Sequence, residues 1–432
     1  MILNFSLQNF GPVREEQVLT FEADKSDHLE DHYVIQAGGY RVLKLGLIYG
    51  ANASGKTTIL KALHFLRKLV LEPEDKKTGE LEFIPFLFDE ESKKQPGRLS
   101  IDFIHNEVRY DYAVEFNSSA VVSERLDFYA PKKANVFKRK TDLEHQFTEI
   151  TFGSKIKTDA ALRKALESNT LWNNTVLGGF LKINAKLHEL SEAVAWFEEY
   201  LMPMVYTKTE LDDFVTARIK EGAIDKATVV SILRKADFNV SDILFEDKEL
   251  PIPDGLIDFL ESQMKERASG PAKALREKGK ITSVDVELQH TVGGAQFRLP
   301  FEMESEGTKR YYGFAGLLAL LLKDGHIIPI DELESSLHPD LYLHFILSFL
   351  INAEKSQLLA TTHYRELLDN RDVFRNDAIW FTDKSEAGAT ELYSLADFDT
   401  SVVRDTSNVL NAYKSGRLSA VPNLGDYFIE LN

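Results

Sequence analysis

The sequence predicts an α/β fold: a core split by a long helical insertion and joined to an antiparallel β segment. Three observations carry this. An apolar strand runs straight into a glycine-rich loop at Gly50 to Thr57, and a helix-spaced apolar pattern follows it. Residues 80–153 alternate apolar and polar with turn residues between the runs, the signature of an antiparallel sheet. Strand and helix patterns return after residue 281, beyond a stretch of helical texture at 158–280.

Residues 2–7 alternate, Gly11-Pro12 turns the chain, and residues 17–21 alternate again, which predicts strand, turn and strand. Residues 42–49, VLKLGLIY, predict one buried strand. Apolar residues at Ile59, Leu60, Leu63, Leu66, Leu69 and Val70 put a helix over 58–71. Runs at 99–106, 108–116 and 120–129 predict further strands, and 159–168, 181–200 and 227–236 have helical periodicity. The polar stretch 265–280, with six basic residues against two acidic, predicts a mobile connection. Strands at 281–291 and 295–301 meet at Gly293-Gly294, a hairpin turn. Helix 308–323, strand 326–330, helix 340–353 and strand 357–361 follow. The expected domains are an N-terminal half 1–157, a helical insertion 158–280 for oligomer and partner contacts, and a C-terminal half 281–432.

Composition narrows the chemistry. The chain has 432 residues, 44% hydrophobic and 11% aromatic, enough for large cores. Its 51 Lys and Arg against 68 Asp and Glu give a net charge of −17. A surface of that sign repels phosphate backbones, so a protein that coats DNA is excluded, although a local basic patch leaves room for nucleic acid. Two such spots stand out: Lys132-Lys133 with Lys138-Arg139-Lys140, and the 265–280 stretch. The absence of cysteine removes disulfides, thiolate-bound zinc, iron–sulfur clusters and thiol catalysis. The N-terminus lacks a signal-peptide pattern and the longest apolar run, 314–322, is too short to span a bilayer. The expectation is a soluble cytoplasmic protein without a membrane segment.

Gly50-Ala51-Asn52-Ala53-Ser54-Gly55-Lys56-Thr57 matches G-x-x-x-x-G-K-[ST] in full. In such a loop the glycines let successive N–H groups point at phosphate oxygens, and the helix start adds its positive dipole end. Gly50, Asn52, Ala53, Ser54, Gly55, Lys56, Thr57 and Thr58 are therefore expected to hold ATP, with Lys56 on the β- and γ-phosphates and Thr57 on Mg²⁺. His326-Ile327-Ile328-Pro329-Ile330-Asp331-Glu332 is an apolar strand ending in two acids. There Asp331 would hold the metal through water, and Glu332 would polarise the attacking water.

Lys56 and Asp331 lie far apart in the chain, so the insertion separates two halves of one head. That layout resembles ATP-binding-cassette (ABC-type) ATPase heads of the SMC and RecF kind. Glu304-Ser305-Glu306-Gly307-Thr308-Lys309 is similar to their signature loop, which implies that Ser305 and Gly307 reach the γ-phosphate held by a second subunit; capping of the next helix by Ser305 is the other reading. His363, after Leu358-Leu359-Ala360-Thr361-Thr362, resembles the switch histidine that senses the γ-phosphate, and Ser336-Leu337-His338-Pro339 resembles the D-loop. Departures are a degenerate signature and the lack of a convincing Q-loop glutamine: Gln95 sits in a polar turn.

The stretches 45–56, 331–339 and 361–363, with 377–381, 391–395 and 416–422, resemble RloA/AbiLi-type ATPases of bacterial anti-phage defence, and more loosely the PARIS AriA and Septu ATPases. The resemblance implies a two-component, abortive-infection system. In it an ATPase that is at least a head dimer senses a phage protein and controls a separate effector, such as a TOPRIM-like nuclease. Too few residues follow His363 for a fused nuclease, so Asp397-Phe398-Asp399 reads as a turn. A DNA-repair or chromosome-associated ATPase that binds DNA is the second reading; it would need sustained heptads, which the insertion lacks, or a basic groove, for which the two basic spots remain. A slow, nucleotide-locked scaffold is the third reading.

Overall fold

The computed structural model describes residues 1–251, 280–398 and 409–420. Of the expected mobile connection only Lys280 falls within them, and Asp399 lies outside. The chain divides into two compact units: Met1–Thr209 with Leu320–Ser335 and Tyr342–Asn432, and Glu210–Ala319 with Ser336–Leu341.

The first unit opens with β1 (Ile2–Gln8), β2 (Gln17–Thr20), a helical turn α1 (Glu30–Tyr33), and the pair β3 (Val34–Ala37) and β4 (Tyr40–Leu43). β5 (Leu45–Gly50) then leads to α2 (Lys56–Leu71). Five strands follow: β6 (Gly97–His105), β7 (Val108–Phe116), β8 (Val121–Tyr129), β9 (Lys133–Asp142) and β10 (Phe147–Phe152). They form a seven-stranded antiparallel sheet in the order β10-β9-β8-β7-β6-β1-β2. Alternation sets its faces: Phe5, Leu99, Ile101, Tyr112, Val114, Leu126 and Phe137 are buried, while Arg98, Glu115, Arg125 and Lys138 are not.

One predicted basic spot is partly structural. Arg139 turns inward and lies 3.8 Å from Glu124 with both side chains fully buried. Lys133 pairs with Asp111 at 2.8 Å and Asp127 at 3.2 Å.

The expected single strand at 42–49 is two strands broken at Lys44. Its buried ammonium donates to the carbonyls of Leu350 and Ala353 at 2.6 and 2.9 Å, which draws the chain out of line between β4 and β5. The second sheet has the order β14-β15-β5-β16-β17, built from β14 (Ile327–Ile330), β15 (Gln357–Thr361), β16 (Ile379–Lys384) and β17 (Thr390–Ser394). All pairs are parallel except β16 with β17. Gln357 ties the two sheets together: its side chain accepts from the Ile2 N–H and donates to the carbonyls of Ile2 and Leu43. Every predicted apolar position of α2 is buried.

The unit also holds α3 (Ala160–Asn169), capped by Asp159, with α4 (Val176–Phe180) and α5 (His188–Ala195). Helix expected from 181 starts at 188 and ends in a wider turn at Trp196–Tyr200. This stretch was expected in the insertion, but it packs with the first unit. Trp196 stacks on Phe103 with ring centroids 4.1 Å apart, and the Met202 and Val205 N–H groups bond to the carbonyls of Ile327 and Pro329 along the edge of β14.

The second unit contains α6 (Asp212–Lys220), α7 (Lys226–Lys235), the sheet β11 (Val240–Pro251), β12 (Lys280–Val292) and β13 (Ala295–Pro300), and α8 (Glu306–Lys323) up to Ala319. Gly293 and Gly294 turn the β12–β13 hairpin with φ of +58° and +84°, which suits paired glycines. These strands were expected with the C-terminal half. α9 (Pro339–Asn352) and α10 (Val409–Lys414) complete the helices named here. Among the described residues no helix is long and apolar enough to cross a membrane.

Candidate functional site

The site is built where β5 ends. β5 is the middle strand of its sheet, and all six of its residues are buried. The loop that follows needs its glycines. Gly55 has φ +106°, and a Cβ there would stand 2.3 Å from Thr390 Oγ1. A Cβ on Gly50 would meet Thr382 at 2.5 Å. Threonines from the sheet fix the loop: Ser54 and Thr382 share a hydroxyl hydrogen bond of 2.6 Å, and Thr390 donates to the Ser54 carbonyl at 2.8 Å. Neither threonine belongs to a motif visible in the sequence. Asn52 and Ala53 are exposed at the loop tip, Ser54 and Lys56 are buried, and Thr57 and Thr58 are half-buried on the first turn of α2.

Lys56 Nζ donates to the carbonyls of Gly50 and Ala51 at 2.9 and 3.0 Å. Burial holds its pKa below the usual lysine value, opposed by the charges of Glu332, Glu334 and Asp331. Thr57 Oγ1 donates to Asp331 Oδ1 at 2.9 Å, and Thr361 donates to the same oxygen at 2.7 Å. The predicted loop and acidic strand therefore meet, although 274 positions separate Thr57 from Asp331. A hydroxyl and a carboxylate side by side at a helix start form a hard oxygen pair suited to Mg²⁺ that also binds phosphate oxygens. Among the described residues no group of three or more His, Asp or Glu could hold a metal unaided.

Glu332 follows with φ +49°, its N–H bonded to Thr361 Oγ1 at 2.8 Å. His363 Nε2 lies 3.8 Å from Glu332 Oε1, and Thr207 donates to Oε2 at 3.4 Å. Burial, then Lys56, lower the His363 pKa, so its ring is neutral near pH 7. No sequence motif points to Thr207. Glu334, which no motif role singles out, accepts the His363 N–H at 2.6 Å. Its two-residue offset from Glu332 in Asp331-Glu332-Leu333-Glu334 was the available signal.

Beside the first turns of α2 opens a cavity of about 410 Å³, lined by Phe10, Gly11, Thr58, Lys61, His64 and Tyr206 among others. Ser305 and Gly307 belong to the second unit. Ser305 Oγ accepts the Thr308 N–H at 3.1 Å, so it caps α8. Gly307 is half-buried, and a Cβ there would be in ordinary contact with Ser305 Oγ and the Ser336 carbonyl oxygen, each at 3.8 Å. Gln95 lies in an exposed turn whose carbonyl accepts from Asn9.

A comparison with protein families matches residues 47–167 and 225–369 to the family described as "AAA domain, putative AbiEii toxin, Type IV TA system". Together these segments cover more than half of the chain. The chain belongs to this AAA-domain family. The match takes in the loop, both acids and His363. Against curated proteins the chain gives no match.

Three solved structures are similar to this AAA-domain chain. One is an SMC head bound to the C-terminal winged-helix domain of ScpA, 12% identical, covering 91% of this chain and 97% of its own, with a TM-score of 0.41. The SMC head domain from Thermotoga maritima is 12% identical, with 91% and 98% covered and a TM-score of 0.40. The third is an Smc head with an extended coiled coil, bound to the C-terminal domain of ScpA from Pyrococcus furiosus. It is 13% identical, with 91% and 96% covered and a TM-score of 0.37.

Proposed function

We propose that this AAA-domain chain is a Mg²⁺-dependent ATPase that closes on ATP as a head dimer and controls a separate effector in antiviral defence. The observation that carries the hydrolytic part is the Thr57–Asp331–Thr361 hydrogen-bond chain, with Glu332 and His363 beside it. The loop amides and Lys56 bind the phosphates; Thr57 and Asp331 would hold Mg²⁺, which would supply charge neutralisation at the phosphates. Glu332 orients and deprotonates water, and neutral His363 donates to the γ-phosphate. The cavity beside Thr58 and Lys61 has room for the nucleoside.

Ser305 and Gly307 act across the dimer, on the ATP of the other copy. Gly307 supports this part, because it sits in the first turn of α8 and the nearest atoms to a Cβ there, Ser305 Oγ and the Ser336 carbonyl oxygen, are 3.8 Å away. The 158–280 segment supplies partner contacts. The effector is a nuclease of TOPRIM-like kind and the trigger a phage protein, both acting in the cytoplasm; the family's toxin-type description and the motif resemblance support that setting.

The test is Glu332→Gln. Phosphate release with ATP and Mg²⁺ should fall about 10²-fold or more while ATP binding persists. Light scattering should then find the ATP-bound variant as a dimer. Undiminished turnover sinks the catalytic assignment, and a monomer sinks the closed head pair.

A further inference from the structure

Glu334 does something that neither the loop motif nor the two acids that follow β14 explain. One carboxylate oxygen, Oε1, takes the main-chain N–H of His363 at 2.6 Å. The other, Oε2, is buried with no hydrogen-bond partner among the described residues. A carboxylate oxygen shut away from water and left unpaired costs free energy unless nearby charge or polarity compensates. Its charge acts on Lys56, His363, Tyr49 and Tyr342, so it sits within the electrostatic reach of the loop lysine.

Its mounting is stiff. Leu333 N–H bonds to the Thr361 carbonyl at 3.1 Å, and Glu332 N–H to Thr361 Oγ1 at 2.8 Å. Thr362 N–H bonds to the Ile48 carbonyl at 3.0 Å, which fixes the start of the histidine loop. Beyond Thr362 the His363 amide is held by a side chain, and that side chain belongs to Glu334.

We propose that Glu334 is a positioning residue for hydrolysis, which works by clamping the His363 main chain so that the imidazole faces Glu332 and the γ-phosphate side of the loop. The inference rests on the ATPase reading above. Loss of the clamp frees the histidine loop but leaves the phosphate-binding loop, Thr57 and Asp331 in place. Turnover falls and nucleotide affinity does not, because a displacement of about 1 Å at a reacting group costs up to about 10²-fold in rate.

The experiment measures steady-state ATP hydrolysis, ATP binding and amide exchange over residues 361–366 for the wild type, Glu334→Ala and Glu334→Gln. Glu334→Ala should lower kcat by about tenfold to 10²-fold, with KM changed less than about threefold. It should also speed exchange at His363. Glu334→Gln keeps an oxygen that accepts the N–H, so it should regain most of the lost kcat and the slow exchange. An alanine variant with wild-type kcat or unaltered exchange overturns the proposal. So does a glutamine variant as slow as alanine, or a loss that appears mainly in KM. A wild-type chain that releases no phosphate overturns the ATPase reading itself, and hydrolysis in the wild type with no alanine effect overturns only the clamp.

Discussion

Threonines decide the local geometry at the residue scale. Thr57 and Thr361 place their hydroxyls on Asp331, and Thr382 and Thr390, which no motif names, place theirs on the glycine-rich loop. Gly55 shows the dependence. A Gly55→Ala variant puts a methyl against Thr390 in a left-handed backbone, and should lose about 1–3 kcal/mol of stability. Its ATP affinity should also collapse; denaturant melts and nucleotide titrations check both. The glycine-rich loop and the strand ending in two acids are legible because each is a contiguous pattern, and the structure brings them together at Thr57 and Asp331. Thr207 and Glu334 are not legible, since a single threonine or glutamate in a polar turn has many ordinary uses.

At the scale of the element, the two-strand break at Lys44 is a charged helix stop as well as a kink. The ammonium caps the last carbonyls near the end of α9, and burial pulls its pKa from 10.5 down to about 8. Between these values the unfolded chain holds the proton more tightly, so this group's contribution rises as pH climbs from 8 to 10.5 and is flat, at its lowest, well below 8. Urea midpoints of the wild type should therefore gain on those of Lys44→Met between pH 8 and 10. Sequence patterning showed an unbroken strand because lysine inside an apolar run reads as a solvated position.

In α8, Gly316 lies where a Cβ would stand 2.3 Å from Val215 of α6. Gly316→Val should cost about 1–3 kcal/mol, seen as a lower denaturant midpoint. The periodicity of α2 and the hairpin at Gly293-Gly294 were readable because local chemistry dictates them. That residues 160–209 join the first unit depends on the Phe103–Trp196 stack and the edge of β14, contacts between distant segments that periodicity does not encode.

For the molecule as a whole, ligand linkage gives a direct check. ATP with Mg²⁺ at about 100 times its Kd should stabilise the folded chain by about 2.7 kcal/mol, and Lys56→Ala should abolish the shift in a thermal melt. The antiparallel sheet and the split core were legible because alternation and the loop-to-acid order survive in one sequence. The boundary between the units was not. The order of the second sheet has a temporal consequence. β5, the strand that carries the phosphate-binding loop, has β15 and β16 as its neighbours, and both are encoded more than 300 residues later. On the ribosome the loop emerges early and waits, with both edges of its strand unpaired, until the chain has been read past Lys384. The loop thus reaches its folded setting late in synthesis, and a nascent chain released earlier exposes an apolar strand to aggregation.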